Sequence, residues 1–255
     1  MKSFNHLVGA ASSDGGTVVR GAFAVVRLLG PALTVADRQT LVCADMGARI
    51  AMMKLFYYET PNPRKACAVA RYLGSPVEFV RIDLAKGESR TPEFLAVNPN
   101  GKVPALTNGS TRLWEADAIM GYLAKAAGSD LLPADERQID VMLWLSWNAH
   151  HFTRYGGQLY FQHIIKPRFG IGEPDPRVVE EATGFFKQYA QVLNDHLAGR
   201  KYLLGDTLTI ADFSVAVTLP YAETAKLPVG DFVEIERWHG RLNELPAWRQ
   251  PFPST

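Results

Sequence analysis

The sequence predicts an α/β half followed by an all-helical half. Strands and helices alternate as βαβαββα around one mixed four-stranded sheet over residues 53–127, residues 128–135 form a linker, and residues 136–255 form a helical bundle. Three observations carry this. Leu55 to Tyr58 and Val77 to Leu84 are strand-like runs separated by one helix-length segment that stops at Gly74. Asn108-Gly109, a dipeptide suited to the positive φ angles of a tight hairpin, lies between two further strand-like runs. Beyond Gly128 the strand signals end, and apolar residues recur at three- and four-residue steps.

The elements follow in order. Thr60-Pro61-Asn62-Pro63 punctuates the chain after the first strand, and a helix runs on through Leu73. The connection between the first two strands holds one crossover helix and no more, so these strands are parallel and joined right-handedly. Pro92 opens a short helix, Pro92 to Val97. Val103 to Leu106 and Thr111 to Trp114 make an antiparallel hairpin, and Ile119, Leu123 and Ala127 mark a helix from Ala116 with Gly128 as its stop. This order is the thioredoxin-like layout. In the second half, Ile139, Met142 and Leu143 start a long helix, and Val178, Ala182, Phe185, Tyr189, Leu193 and Leu197 trace another. Lys166-Pro167 and Gly170 to Pro176 break the chain between them, and further helices fall near residues 210–226 and 231–245.

The bulk composition narrows the function. In 255 residues, 27 lysines and arginines nearly cancel 26 aspartates and glutamates, which leaves no charge excess for nucleic acid or an anionic membrane. A small-molecule ligand is expected instead. Cys43 and Cys67 are the only cysteines, too few for a disulfide framework or a four-cysteine metal centre, and they fit a reducing, cytoplasmic compartment. No apolar run reaches the roughly 18 residues that a membrane span requires. Residues 1–52 read differently from the rest: a Ser/Gly/Thr-rich start precedes an apolar stretch, Gly21 to Val35, interrupted by Arg27. This leader is expected to be disordered, a targeting segment or a mis-assigned start, and the last is preferred because Met52 or Met53 directly precedes the first strand.

Several residues carry candidate chemistry. Pro104 lies between a glycine turn and a strand; without an amide to donate, it marks an edge, a strand start or a cis bond. Glu115 and Asp117 stand at the start of a helix, where acids complement the dipole. Thr60, followed by Pro61, has the form of a helix cap. Thr209-Ile210-Ala211-Asp212 is a capping box, which is a folding signal. His150 and His151 point about 100° apart on a helix and do not share a ligand face, so no metal is expected. Cys67 lies a full turn inside its helix, as a small buried apolar residue does.

At this point the sequence resembles the glutathione transferase superfamily. Asn98 to Leu106 matches the family's Asn-Pro-x-Gly-x-Val-Pro-Ala-Leu segment, and Leu113 to Ile119 is similar to its Glu-Ser-x-Ala-Ile segment. The likeness covers nearly all of residues 53–250 and has a bacterial, phi- or theta-like character. It implies glutathione as co-substrate, without a metal, on a thioredoxin-like domain, and a helical domain that receives an electrophilic small molecule. It also implies a cis Val103-Pro104 bond that turns the Val103 backbone toward the tripeptide, and Glu115 on the γ-glutamyl ammonium, with free amides at the adjacent helix start on its carboxylate.

The resemblance assigns further positions, some of them departures. Ala116 stands where the family has a serine, which forfeits a hydrogen bond worth roughly 1.5 to 3 kcal/mol. Arg90 and Lys102 are implied at the glycyl carboxylate, with Ser89 where a histidine is usual. Thr60 aligns with the activating serine, Tyr58 is its competitor, and Asn62 can assist. Trp147, His151 and Tyr155 are implied in the core or the wall of the second-substrate pocket. The implied activity is attack of the glutathione thiolate on an electrophile, or peroxide reduction, by a homodimer. The alternatives are a non-catalytic glutathione-binding or interaction module and a disulfide reductase, which would call on Cys67.

Overall fold

In the computed structural model, residues 53–253 are described; the expected leader over 1–52, with Cys43, lies outside the described residues. The first strand, β1 (Met53–Tyr57), buries Met53, Leu55 and Tyr57 on alternate positions and pairs on both edges. The sheet order is β2 (Val77–Arg81), β1, β3 (Ala105–Asn108), β4 (Thr111–Trp114). β1 runs parallel to β2 and antiparallel to β3, and β3 runs antiparallel to β4, the mixed arrangement expected. Two boundaries move for local reasons. β3 starts at Ala105 and not at Val103, because Pro104 has no amide for the ladder; the Val103–Pro104 bond is cis. β2 ends at Arg81 and not at Leu84, because the Asp83 carboxylate accepts from the Ala85 amide at 3.0 Å and turns the chain.

Helices α1 (Pro61–Tyr72) and α3 (Ala116–Ala126) lie together on the sheet, and Ala66, Val69, Ile119 and Leu123 join the main core there. The short α2 (Pro92–Leu95) builds a smaller cluster, with Phe94 edge-on to Phe56 at 5.8 Å and packed with Ile82 and Ala105.

The expected long helix of the second half is broken into α4 (Arg137–His150), α5 (Phe152–Tyr160), a π turn (Phe161–Ile165) and α6 (Lys166–Phe169). The wide π turn has a cause in the sequence: Pro167 lacks an amide, and its ring would strike the carbonyl four residues back in a regular helix. Helix α7 (Pro176–Leu197) matches the expected periodicity, and Phe186 stacks on Phe152 at 4.7 Å. The helix expected over 210–226 is instead α8 (Ile210–Val215) followed by a 3₁₀ turn, Ala216–Tyr221, which contains Pro220. Beyond it lie α9 (Val233–Leu242) and α10 (Pro246–Arg249).

Asp212, fully buried, ties these pieces together. Its carboxylate accepts from the Leu203 and Thr209 amides, both at 2.9 Å, from Trp238 Nε1 at 3.0 Å and from Thr209 Oγ1 at 3.1 Å. The last described residues fold back on the first helix. Arg64 Nη2 donates to the Trp248 carbonyl at 2.5 Å, Arg71 Nη1 donates to the Phe252 carbonyl at 2.9 Å, and the Phe252 ring stacks on Tyr57 at 5.6 Å.

Candidate active site

The strand register collects the expected glutathione-binding residues at one end of the sheet. Phe56 pairs with Ala105 and Ala105 with Trp114, so the chain leaving β1 toward Thr60, the Val103–Pro104 entry to β3 and Glu115 after β4 share that end. The Val103 amide and carbonyl make no backbone hydrogen bond among the described residues.

Thr60 caps α1 with extended backbone angles, its carbonyl accepting from the Arg64 amide at 3.0 Å, yet its hydroxyl makes no capping bond. A capping side chain accepts from the second or third helical amide; the third is Pro63, which has none, and the Thr60 hydroxyl does not take the second, Asn62. Among the described residues Thr60, half-buried at a helix head, makes no capping bond through its side chain.

Tyr58 is in a different state. Its ring lies between two guanidiniums, Arg81 at 4.7 Å and Arg168 at 5.2 Å, and its hydroxyl accepts from Arg168 Nη2 at 3.0 Å. Glu59 grips Arg81 through both oxygens, at 2.7 and 3.0 Å. Burial pushes the Glu59 carboxyl up, but the Arg81 hydrogen bond and charge hold it below the usual carboxylate range.

At α3, Ile119 is the first amide to close onto the helix, at 3.0 Å from the Glu115 carbonyl, which leaves the amides of Ala116, Asp117 and Ala118 at the head. Glu115 itself is exposed and has φ 68°, a positive angle that costs a non-glycine residue about 1–3 kcal/mol.

The loop before β3 is equally fixed. Asn98, 2% exposed, donates to the Lys102 carbonyl at 2.6 Å and accepts from the Asn100 amide at 3.0 Å. Arg90 lies across it, with Nη1 donating to the Asn100 carbonyl at 3.4 Å; Gly101 has φ 60° and a Cβ there would stand 2.9 Å from the Ser89 carbonyl, so the turn requires glycine. Arg90 and Lys102 are both exposed on this one loop region.

Trp147, His151 and Tyr155, all half-buried, stack on other aromatic rings. His151 stacks on Tyr189 at 4.6 Å, Tyr155 on Phe185 at 4.7 Å, and Trp147 on Phe152 at 6.0 Å, an aromatic seam between α4, α5 and α7. The helical residues that the described contacts bring to the α1 head are instead Arg168, on Tyr58, and Tyr221, 5.9 Å from the Arg64 guanidinium and edge-on to Tyr160 at 4.9 Å. Burial pushes the Tyr160 hydroxyl up to about 12, so it stays protonated. The sequence reading missed these three because no periodic signal marks them; only the break at Lys166-Pro167 pointed to the region.

A larger omission is Lys65. It is 5% exposed, and its Nζ lies 2.7 Å from Asp117 Oδ1 and 3.0 Å from Ser214 Oγ, which itself donates to Asp117 Oδ1 at 2.8 Å. Asn148 donates to the Ser214 carbonyl at 3.0 Å and accepts from Thr153 Oγ1 at 2.6 Å, extending the network into α4 and α5. Cys67 is fully buried, and burial pushes its thiol far above the ordinary range, which denies it thiolate chemistry. Among the described residues, no cluster of His, Cys, Asp or Glu could hold a metal ion, and no helix is long and apolar enough to cross a membrane.

The chain is similar to known proteins along most of its length. Residues 51–125 match the family model for the glutathione S-transferase N-terminal domain, and residues 177–254 match one for the C-terminal domain. Glutathione S-transferase 3 of Zea mays is 35% identical over 198 residues, covering 75% of this chain and 88% of the relative. Glutathione S-transferase 1 of the same plant is 34% identical over 203 residues, covering 78% and 94%. Among solved structures, maize glutathione S-transferase I in complex with an atrazine glutathione conjugate has a TM-score of 0.71 at 30% identity, covering 79% of this chain and 96% of that one. A Pseudomonas fluorescens family member with two glutathione bound has a TM-score of 0.70 at 26% identity, covering 79% and 92%. The chain belongs to the glutathione S-transferase family.

Proposed function

We propose that this glutathione transferase stabilises the thiolate of glutathione with the Thr60 hydroxyl at the head of α1 and directs it at an electrophilic small molecule. The observation that carries the proposal is the Thr60 hydroxyl at the head of α1, which makes no capping bond there. The magnitudes suffice. Lowering a thiol from about 8.5 by two units needs roughly 2.7 kcal/mol; a helix head supplies about 0.3–2 and a hydroxyl donated to the anion about 1.5–3. Tyr58 is the weaker candidate because its hydroxyl is already engaged by Arg168. In this reading Val103 and Pro104 present the backbone that pairs with the tripeptide, Glu115 takes its ammonium, the Ala116 amide its carboxylate, and Arg90 with Lys102 its glycyl end. Thr60→Ala is expected to lower turnover with an aryl halide at least about tenfold while calorimetric glutathione binding persists. Unchanged turnover overturns the assignment.

A second class of acceptor for the same thiolate is a glutathione-containing disulfide, favoured by the two glutathione molecules held by the Pseudomonas fluorescens relative and by a Burkholderia graminis relative that is 27% identical. The thiolate sulfur would form one S–S bond as another breaks and a thiolate leaves, and buried Cys67 would take no part.

We also read the protein as a cytoplasmic homodimer. Ile139, Met142 and Leu143 lie on one face of α4, more than half exposed, and Trp114 is exposed on β4. A patch of this kind supports a two-fold contact with a second copy. Met142→Glu is expected to halve the mass seen by light scattering, and a wild-type monomer at micromolar concentration rejects the reading.

A further inference from the structure

Asp117 poses a problem for the α3 head. It is the second residue of a helix whose free amides are read above as the seat of the γ-glutamyl carboxylate, and its side chain remains 27% exposed. A second negative charge one residue beyond Ala116 opposes an anionic ligand there. The structure answers with two donors on one oxygen: Lys65 Nζ at 2.7 Å and Ser214 Oγ at 2.8 Å both meet Asp117 Oδ1. Lys65 comes from the first helical turns of α1, and Ser214 from α8, held in turn by Asn148 at 3.2 Å. The lysine has no second carboxylate among the described residues, so its charge is spent on Asp117.

We propose that Lys65 is a positioning residue for glutathione, acting through Asp117: it neutralises the acid at the α3 head so that the head accepts a carboxylate, and it fixes α3 against α1, whose own head carries Thr60. This rests on glutathione occupying the groove proposed above. It also offers a reason why Ala116 is tolerated in place of a hydroxyl residue, since the head faces a compensated charge and not a bare one.

The charge logic gives the two partners opposite signs, which a merely structural role would not. By calorimetry with reduced glutathione on the full chain, Lys65→Met is expected to weaken binding about tenfold, because Asp117 is then bare. Asp117→Asn is expected to tighten it about two- to fivefold, because the lysine charge then faces the ligand. Lys65→Met with Asp117→Asn returns to within about threefold of wild type, and Lys65→Arg restores most of the affinity. If Lys65→Met does not fold, Ser214→Ala, which removes one of the two donors, is expected to weaken binding about threefold. Equal weakening by Lys65→Met and Asp117→Asn overturns the proposal and leaves a structural pair. Wild-type protein that binds no glutathione overturns the groove itself, a result distinct from wild-type binding that Lys65→Met does not change.

Discussion

Asp212→Ala is expected to lower the unfolding free energy by about 3–5 kcal/mol, read from urea denaturation at pH 7. The carboxylate is fully buried and accepts from four donors, two of which, the Leu203 amide and Trp238 Nε1, belong to segments that do not otherwise share a bond with α8. Truncation leaves these donors unpaired in the core, at about 1–3 kcal/mol for each, and reopens the start of α8. Asp212→Asn keeps the volume but turns an amide nitrogen toward donors, so it is expected to recover only part of the loss. A change below about 1 kcal/mol for the alanine variant would show that α8 and α9 are held by apolar packing alone.

The second large effect is pH-dependent. Burial, aided by the Arg64 guanidinium, pushes the His239 imidazole down to about 4 from an ordinary value of 6.5. Its Nε2 is buried without a hydrogen-bond partner, so protonation there finds no acceptor. The unfolded chain takes up this proton below pH 6.5 and the folded chain does not until about pH 4. Stability from this group is therefore intact above pH 6.5 and falls by about 3 kcal/mol as the pH drops to 4. Asp212 opposes it. Burial pushes its carboxyl up from 3.8 to about 6, so its contribution falls as the pH rises through nearly the same window. The wild-type profile mixes the two. The check is the difference between wild type and His239→Gln across pH 4 to 7: wild type should gain relative to the variant as pH rises, and a flat difference rejects the neutral buried imidazole.

The sequence predicted the architecture well where local rules act alone. Asn108-Gly109 placed the hairpin, Gly74 and Gly128 ended the helices before them, and the Thr209–Asp212 spacing announced the box that the structure closes. Its errors arose where two rules competed. Periodicity from Ile139 onward supported one long helix, but the structure ends it at His150 and inserts a π turn ahead of Pro167, and Pro220 lies in a 3₁₀ turn where a helix was expected to continue. Within the site, Pro63 was a sign that Thr60 had one capping amide fewer than usual, but Asn62 kept the other, so the sequence alone did not separate a cap from an uncapped hydroxyl. Lys65 was not legible, because its hydrogen-bond partner Ser214 lies 149 residues away and a lone lysine in a helix gives no sign that it will be buried. The aromatic residues Trp147, His151 and Tyr155 look alike in sequence whether they wall a pocket or stack between helices, and the described contacts stack them.

The fold-back of the chain's end onto α1 has a consequence for how the protein is made. Arg64 and Arg71 meet carbonyls 184 and 181 residues further on, so a nascent chain can pack this helix on the sheet and on α3 long before the segment that clasps its arginine-bearing face is synthesised. The α/β half is thus completed by residues translated long after it, and loss of the contacts made by Trp248 and Phe252 would loosen a half of the molecule that does not contain them.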